Sequence, residues 1–123
     1  MTALVWLAVP KGRRTATVIF LHGLDGHAYD TWRRARKDIP WPVWLAQDIE
    51  GVAVATVSYA ARSTGWTGYS MSLDERAKTL FPLVVGAAGV TEEPVIFVCH
   101  SLGGLIVKRI ITMAASGQHF QEG

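Results

Sequence analysis

The chain has 123 residues, half of them hydrophobic and 18% charged, a balance that supports one small globular domain and excludes a disordered polymer. A formal net charge of +2 is too small to point to a nucleic-acid partner. The single cysteine, Cys99, excludes an intrachain disulfide and leans toward a reducing compartment, and no apolar run approaches the ~20 residues that span a bilayer.

Leu4 to Val9 reads as a strand near a sheet edge, followed by a turn at Pro10-Lys11-Gly12. The first apolar stretch, Ala3 to Val9, has its basic residues after it. That order is the reverse of a signal peptide, so the expected location is cytoplasmic. Thr17 to Leu21 is a continuous apolar run rich in β-branched residues, the pattern of a strand buried on both faces. Basic residues cluster at Lys11 to Arg14 and at Arg33, Arg34, Arg36 and Lys37. Both clusters read as solvated faces, with peripheral contact to anionic lipid headgroups as the alternative.

Pro42 is suited to open a short helix carrying Trp44, Leu45 and Ile49 on one side. Val52 to Tyr59 is a second buried-strand pattern. Ser72-Leu73-Asp74-Glu75 forms a capping box, after which Leu73, Ala77, Leu80, Phe81 and Val84 recur at helical spacing. Pro82 predicts a kink or break near Phe81, with Gly86 and Gly89 closing the segment. Val95 to Cys99 is a third buried-strand pattern. Gly103 to Ala115 then predicts a helix with Ile106, Val107, Ile110, Ile111 and Ala114 inward and Lys108, Arg109 and Thr112 outward. Strand and helix alternate, which predicts an open parallel α/β sheet with flanking helices and right-handed crossovers.

Chemistry concentrates where two strands end. Val95-Ile-Phe-Val-Cys99-His100-Ser101-Leu102-Gly103-Gly104 carries a buried strand into a helix through a serine. This is a nucleophile elbow: a sharp turn lifts the Ser101 hydroxyl above the sheet, and the residues two before and two after it must be small. Gly103 meets that need, and Gly104 is expected to let the helix pack closely. Cys99 stands where glycine is usual. It is small enough to bend the elbow only slightly, and it should face the strand–helix junction as an inert hydrophobe. A helix N-terminus beside Ser101 favours developing negative charge, and the Leu102 amide is a natural oxyanion donor.

The second motif is Val18-Ile-Phe-Leu21-His22-Gly23-Leu24-Asp25-Gly26. The loop at this place supplies the second oxyanion donor in hydrolases of this type, which assigns it to the Leu24 amide, with Gly23 turning the chain toward the serine. His22 is read as a brace for this loop rather than a base. Like His22 and Gly23, His100 and Gly103 are supporting residues. His27 reads as an ordinary solvated loop histidine. The glycines do not make a nucleotide site, because no Gly-Lys-Ser/Thr is present and Gly23-Leu-Asp-Gly26 lacks the dinucleotide spacing.

Together these residues resemble the serine-active-site-containing lipase-like family of α/β-hydrolases, related to the GPI-inositol deacylases. The resemblance rests on His22-Gly23-Leu24, Trp44-Leu45-x-x-Asp48, Tyr59, Ser72-Leu73-Asp74-Glu75-Arg76 and Phe97 to Lys108. It implies ester hydrolysis on lipid-like or acyl substrates, with no metal and no organic cofactor. In this fold the acid and then the histidine follow the serine. Only 22 residues follow Ser101, and His119 and Glu122 occur among them in reversed order, beyond a helix that carries the chain ~20 Å away.

The expectation is therefore residues 1–123 as a single partial α/β-hydrolase domain, an N-terminal half. It holds the nucleophile and oxyanion hole and awaits acid, base and further strands from a C-terminal half. The rival is a non-catalytic module of the same fold, or a truncated inactive product. Ligands of open α/β sheets lie beyond the carboxyl ends of the strands. That places the loop 60–71 near Ser101, where Trp66, Tyr69 and Met71 are candidates to wall an acyl pocket, the alternative being a plain packing cluster.

Overall fold

The computed structural model describes residues 2–61, 72–88 and 93–117. Its elements run β1 (Ala3–Ala8), β2 (Ala16–Leu21), a 3-10 turn (Asp30–Trp32), α1 (Trp41–Asp48), β3 (Val52–Ser58), α2 (Leu73–Ala88), β4 (Val95–Cys99) and α3 (Leu102–Ser116). The four strands form one sheet in the order β1-β3-β2-β4. β2 pairs in parallel with both β3 and β4, and β1 lies antiparallel on β3 at the edge. The expected α/β architecture is present.

Both faces of β2 are covered, which is why its sequence shows no polar alternation. Ile19 and Leu21 face α2 and α3, joining Leu80, Phe81 and Val84 from the first helix and Ile106, Ile110 and Met113 from the second. Val18 and Phe20 face the other way and pack with Val52, Val54 and Trp32 beneath Leu45 and Ala46 of α1. Each such aliphatic or aromatic side chain stabilises the fold by roughly 1.5–3 kcal/mol on burial. The polar core residue Thr56 is satisfied by donating to the carbonyl oxygen of Ala28 at 2.8 Å.

Several expected faces are corrected. Trp44 and Ile49 are half exposed, while Pro42 is buried and Leu45 and Ala46 pack inward. These three follow i, i+3, i+4 spacing and make the true inward stripe of α1. On α3, Ile111 is 51% exposed, and Met113 takes its place in the core. A residue adjacent to Ile110 is rotated ~100° from it, and the sheet and α2 together cover the stripe through 103, 106, 107, 110 and 113. α2 is assigned as one helix through Pro82, with no break at Phe81. Gly86 lies inside it, and Gly89 falls outside the described residues. β4, expected to be buried on both faces, is only partly covered, and Ile96 is half exposed. Its place in the strand order explains this, since among the described residues β2 is its one neighbour. Among these residues no helix is long and apolar enough to cross a membrane.

Candidate active site

Register brings the two motifs together. Leu21 of β2 pairs with Cys99 of β4, so the residues two beyond each, Gly23 and Ser101, leave the sheet side by side. The contact is close: a Cβ built on Gly23 would lie 2.6 Å from Ser101 Cβ, 2.7 Å from the His100 carbonyl oxygen and 3.2 Å from Ser101 Oγ. Gly23 does not have a positive φ. It is glycine because the serine occupies the space of a side chain, and not to permit a turn.

Ser101 has φ 55° and ψ −122°, a conformation outside the regions L-residues favour. It is the N-cap of α3, yet its hydroxyl makes no capping hydrogen bond, and the residue is exposed. A serine placed merely to cap a helix would accept from an N2 or N3 amide. The turn is fixed by backbone bonds instead. The His100 amide donates to Leu21 O, the Gly103 amide to His100 O and the Gly104 amide to Ser101 O, each at 3.0 Å. The Leu102 amide, at the first position of the helix, has no acceptor among the described residues.

The glycines after the serine are not equivalent. A Cβ on Gly103 would meet Leu21 O at 2.5 Å and His22 O at 2.7 Å, both backbone atoms that cannot move aside. A Cβ on Gly104 would meet only Cys99 Cβ, at 3.8 Å, an ordinary contact. The expectation that Gly104 is needed for close helix packing is thus corrected. Cys99 is partly buried, packs against the α2/α3 core, and has its thiol pushed up by burial. Burial thus disfavours the thiolate, the reactive form.

The loop after β2 closes as a turn in which the Gly26 amide donates to Gly23 O at 3.0 Å. Asp25 occupies the left-handed region at φ 56°, which aspartate tolerates in turns, and its amide donates to Ala61 O. Within this turn the Leu24 amide has no acceptor among the described residues. His22 is buried, with Nδ1 2.9 Å from Gly23 O, so the tautomer protonated at Nδ1 donates to the loop. Burial holds its pKa below the ordinary value. This geometry fits a neutral brace.

Tyr59 was given no role by sequence reasoning, yet it completes the brace. Its ring stacks on His22 with centroids 4.2 Å apart and planes 12° off parallel, and its hydroxyl donates to the His22 carbonyl oxygen. Burial pushes the phenol up to about 12, so it remains a donor across the physiological range. The available signal was an aromatic residue with a polar tip just past the end of a largely apolar strand. Gly26 was missed in the same way: a Cβ there would lie 2.8 Å from both His22 Cβ and Nδ1. His27 is exposed but not idle. Its Nδ1 accepts from the amides of Tyr29 and Asp30 and caps the 3-10 turn. Trp66, Tyr69, Met71, His119 and Glu122 lie outside the described residues.

Comparison with known proteins finds relatives named SERAC1. Protein SERAC1 of Danio rerio is 33% identical over 121 positions, covering 81% of this chain and 18% of that protein. Protein SERAC1 of Homo sapiens is 31% identical over 121 positions, covering 82% and 18%. The chain is homologous to that part of SERAC1 and spans about a fifth of the length of the curated relatives it matches. No family model matches the chain, and no solved structure matches it significantly.

Proposed function

We propose that this chain supplies the nucleophile and oxyanion-binding portion of a serine hydrolase acting on ester bonds of lipid-like or acyl substrates. The observation that carries this reading is Ser101 itself: an exposed hydroxyl on a strained backbone at a helix N-cap, unused as a cap. Its neighbouring glycine leaves the space the turn requires. The homology to SERAC1 and the resemblance to serine-active-site lipase-like hydrolases support the same reading. In this mechanism Ser101 gives its hydroxyl proton to a base as Oγ attacks the ester carbonyl carbon, and the C=O π pair moves onto oxygen as an oxyanion. Collapse breaks the bond to the alcohol, which leaves with that proton, and water then releases the acyl group from Ser101. The amides of Leu24 and Leu102 donate to the oxyanion, helped by the N-terminal end of the α3 dipole. In this fold the acid and then the base follow the serine, and from Leu102 to Gly117 the chain holds no aspartate, glutamate or histidine. Trp66, Tyr69 and Met71, which lie outside the described residues, are the side chains proposed to contact the acyl chain.

The test is hydrolysis of p-nitrophenyl esters by the protein assembled with its acid- and base-bearing portion. Ser101→Ala lowers kcat by on the order of 10³-fold or more. Trp66→Ala lowers kcat/KM more for long-chain than for acetyl esters, because each buried methylene contributes ~0.8 kcal/mol. Turnover unaffected by Ser101→Ala would assign the chemistry elsewhere. Equal losses for both chain lengths would remove Trp66 from the pocket.

A further inference from the structure

The basic segment ahead of α1 presents apolar side chains to solvent. Ile39, Trp41 and Trp44 are 53%, 40% and 52% exposed. They stand in the same short stretch as Arg34, Arg36 and Lys37, which are exposed as well. Trp41 is held firmly, edge-on to Phe20 at 4.8 Å and to Trp32 at 6.2 Å between ring centroids. A notch of about 390 Å³ lies among Trp32, Trp41 and Trp44, lined also by Arg33, Arg34, Asp38 and Ile39. Opposing charge is sparse. Asp30 is engaged by Arg33, and Asp38 accepts from the Ala35 amide at 3.2 Å and lies 3.7 Å from Arg34.

We propose that this patch docks the protein on an anionic phospholipid membrane. Ile39, Trp41 and Trp44 enter the boundary between headgroups and acyl chains, and Arg34, Arg36 and Lys37 meet the lipid phosphates. Tryptophan favours that boundary, where one part of the ring is apolar and the indole N–H is wet. Lysine and arginine lay their stems along apolar surface and extend their charge outward. The core of a protein–protein interface is instead depleted in charged residues. Net positive charge flanking exposed tryptophan, with Arg36 and Lys37 in excess over the carboxylates that Arg33 and Arg34 meet, matches an anionic lipid surface better than a protein partner.

Topology gives the patch a place relative to Ser101. β2 and β3 are parallel, so α1 must return from the carboxyl edge of the sheet, and its first residue, Trp41, sits at that edge. Phe20, against which Trp41 packs, lies three residues before Gly23, the residue in contact with Ser101. Docking would bring membrane lipid to the same edge as the serine. That consequence rests on the hydrolase reading, whereas the docking itself does not.

The experiment is co-sedimentation of the chain with phosphatidylcholine vesicles, with and without phosphatidylserine, alongside tryptophan emission. Binding is expected only to the anionic vesicles, with a blue shift of emission and weakening as salt rises. Combined Arg34→Glu, Arg36→Glu and Lys37→Glu weakens partitioning on the order of 100-fold or more. Trp44→Ser, at an exposed position, reduces the blue shift. Both variants keep the parent's thermal midpoint by circular dichroism, which separates lost docking from lost folding. Ser101→Ala binds like the parent, so failure of the hydrolase reading is distinguishable from failure of docking. Equal binding to neutral vesicles, no binding to either kind, or parent-like binding by a folded charge-reversed variant overturns the proposal. The last two results would leave the patch as a seat for another polypeptide.

Discussion

Two adjacent glycines make the sharpest residue-scale prediction. Gly103→Ala forces a methyl into the backbone oxygens of Leu21 and His22 and should destabilise the fold by ~1–3 kcal/mol or more. Gly104→Ala meets only an ordinary contact and gains helix propensity, so it should be neutral or stabilising by roughly 0.5–1 kcal/mol. Urea melts of the two variants should therefore move in opposite directions. Ser101 carries a different cost. Its backbone lies where only glycine is at ease, a strain of order 1–3 kcal/mol. Ser101→Gly should raise the urea midpoint while removing the hydroxyl, the trade between stability and reactivity expected of a nucleophile held on a tight turn. A lowered midpoint would show that the serine side chain itself holds the turn.

Among the elements, the loop after β2 depends on an imidazole that must stay neutral. Burial holds the His22 pKa below its ordinary value of 6.5, so the folded state binds fewer protons than the unfolded chain in that range. Stability is then fully present above the unfolded value, near pH ~6.5, and is lost as pH falls from there toward the folded pKa. The Tyr59 ring stacked on His22 and the hydroxyl bound to its carbonyl hold this pair as a unit. In His22→Gln the unfolding free energy should lose its dependence on pH just below ~6.5, as chemical melts across that range would show. A parent whose stability is flat there would mean that the imidazole is accessible to protons without unfolding. The helix pair is tied differently. Asp74 accepts from Arg109 Nε at 2.7 Å, but both groups are partly exposed, and such pairs contribute at most ~1 kcal/mol. The apolar seam between α2 and α3 dominates their docking.

At the scale of the whole molecule, the described residues form a four-stranded sheet with helices on both faces, and β4 has one neighbour among them. Ile96, Leu105 and Ile111, on β4 and α3, are each about half exposed. Ser101 sits at the end of that strand. Between Leu102 and Gly117 there is no histidine, aspartate or glutamate to serve as base or acid. On the hydrolase reading, in which acid and base follow the serine, the chain by itself should hydrolyse activated esters very poorly, retaining at most the ~10³–10⁴-fold over water that an oxyanion hole and binding supply without a triad. Robust turnover by the purified chain, abolished in Ser101→Ala, would reveal a base within residues 1–123.

The sequence by itself determined the strands, because β-branched apolar runs such as Thr17 to Leu21 have few stable states other than a strand covered on both faces. It also determined the strand–serine–helix junction, since the spacing of Ser101 and Gly103 is a local steric demand. Tertiary structure decided what depends on a neighbour's position. Helical periodicity defines a stripe only to within about a residue, and the placement of α2 selected Met113 over Ile111. The contact of Gly23 with Ser101 needed the pairing of Leu21 with Cys99 across 78 residues of chain, which no local pattern encodes. The partnership of Tyr59 with His22, and the room beside Gly104, are likewise properties of packed surfaces brought together only by folding.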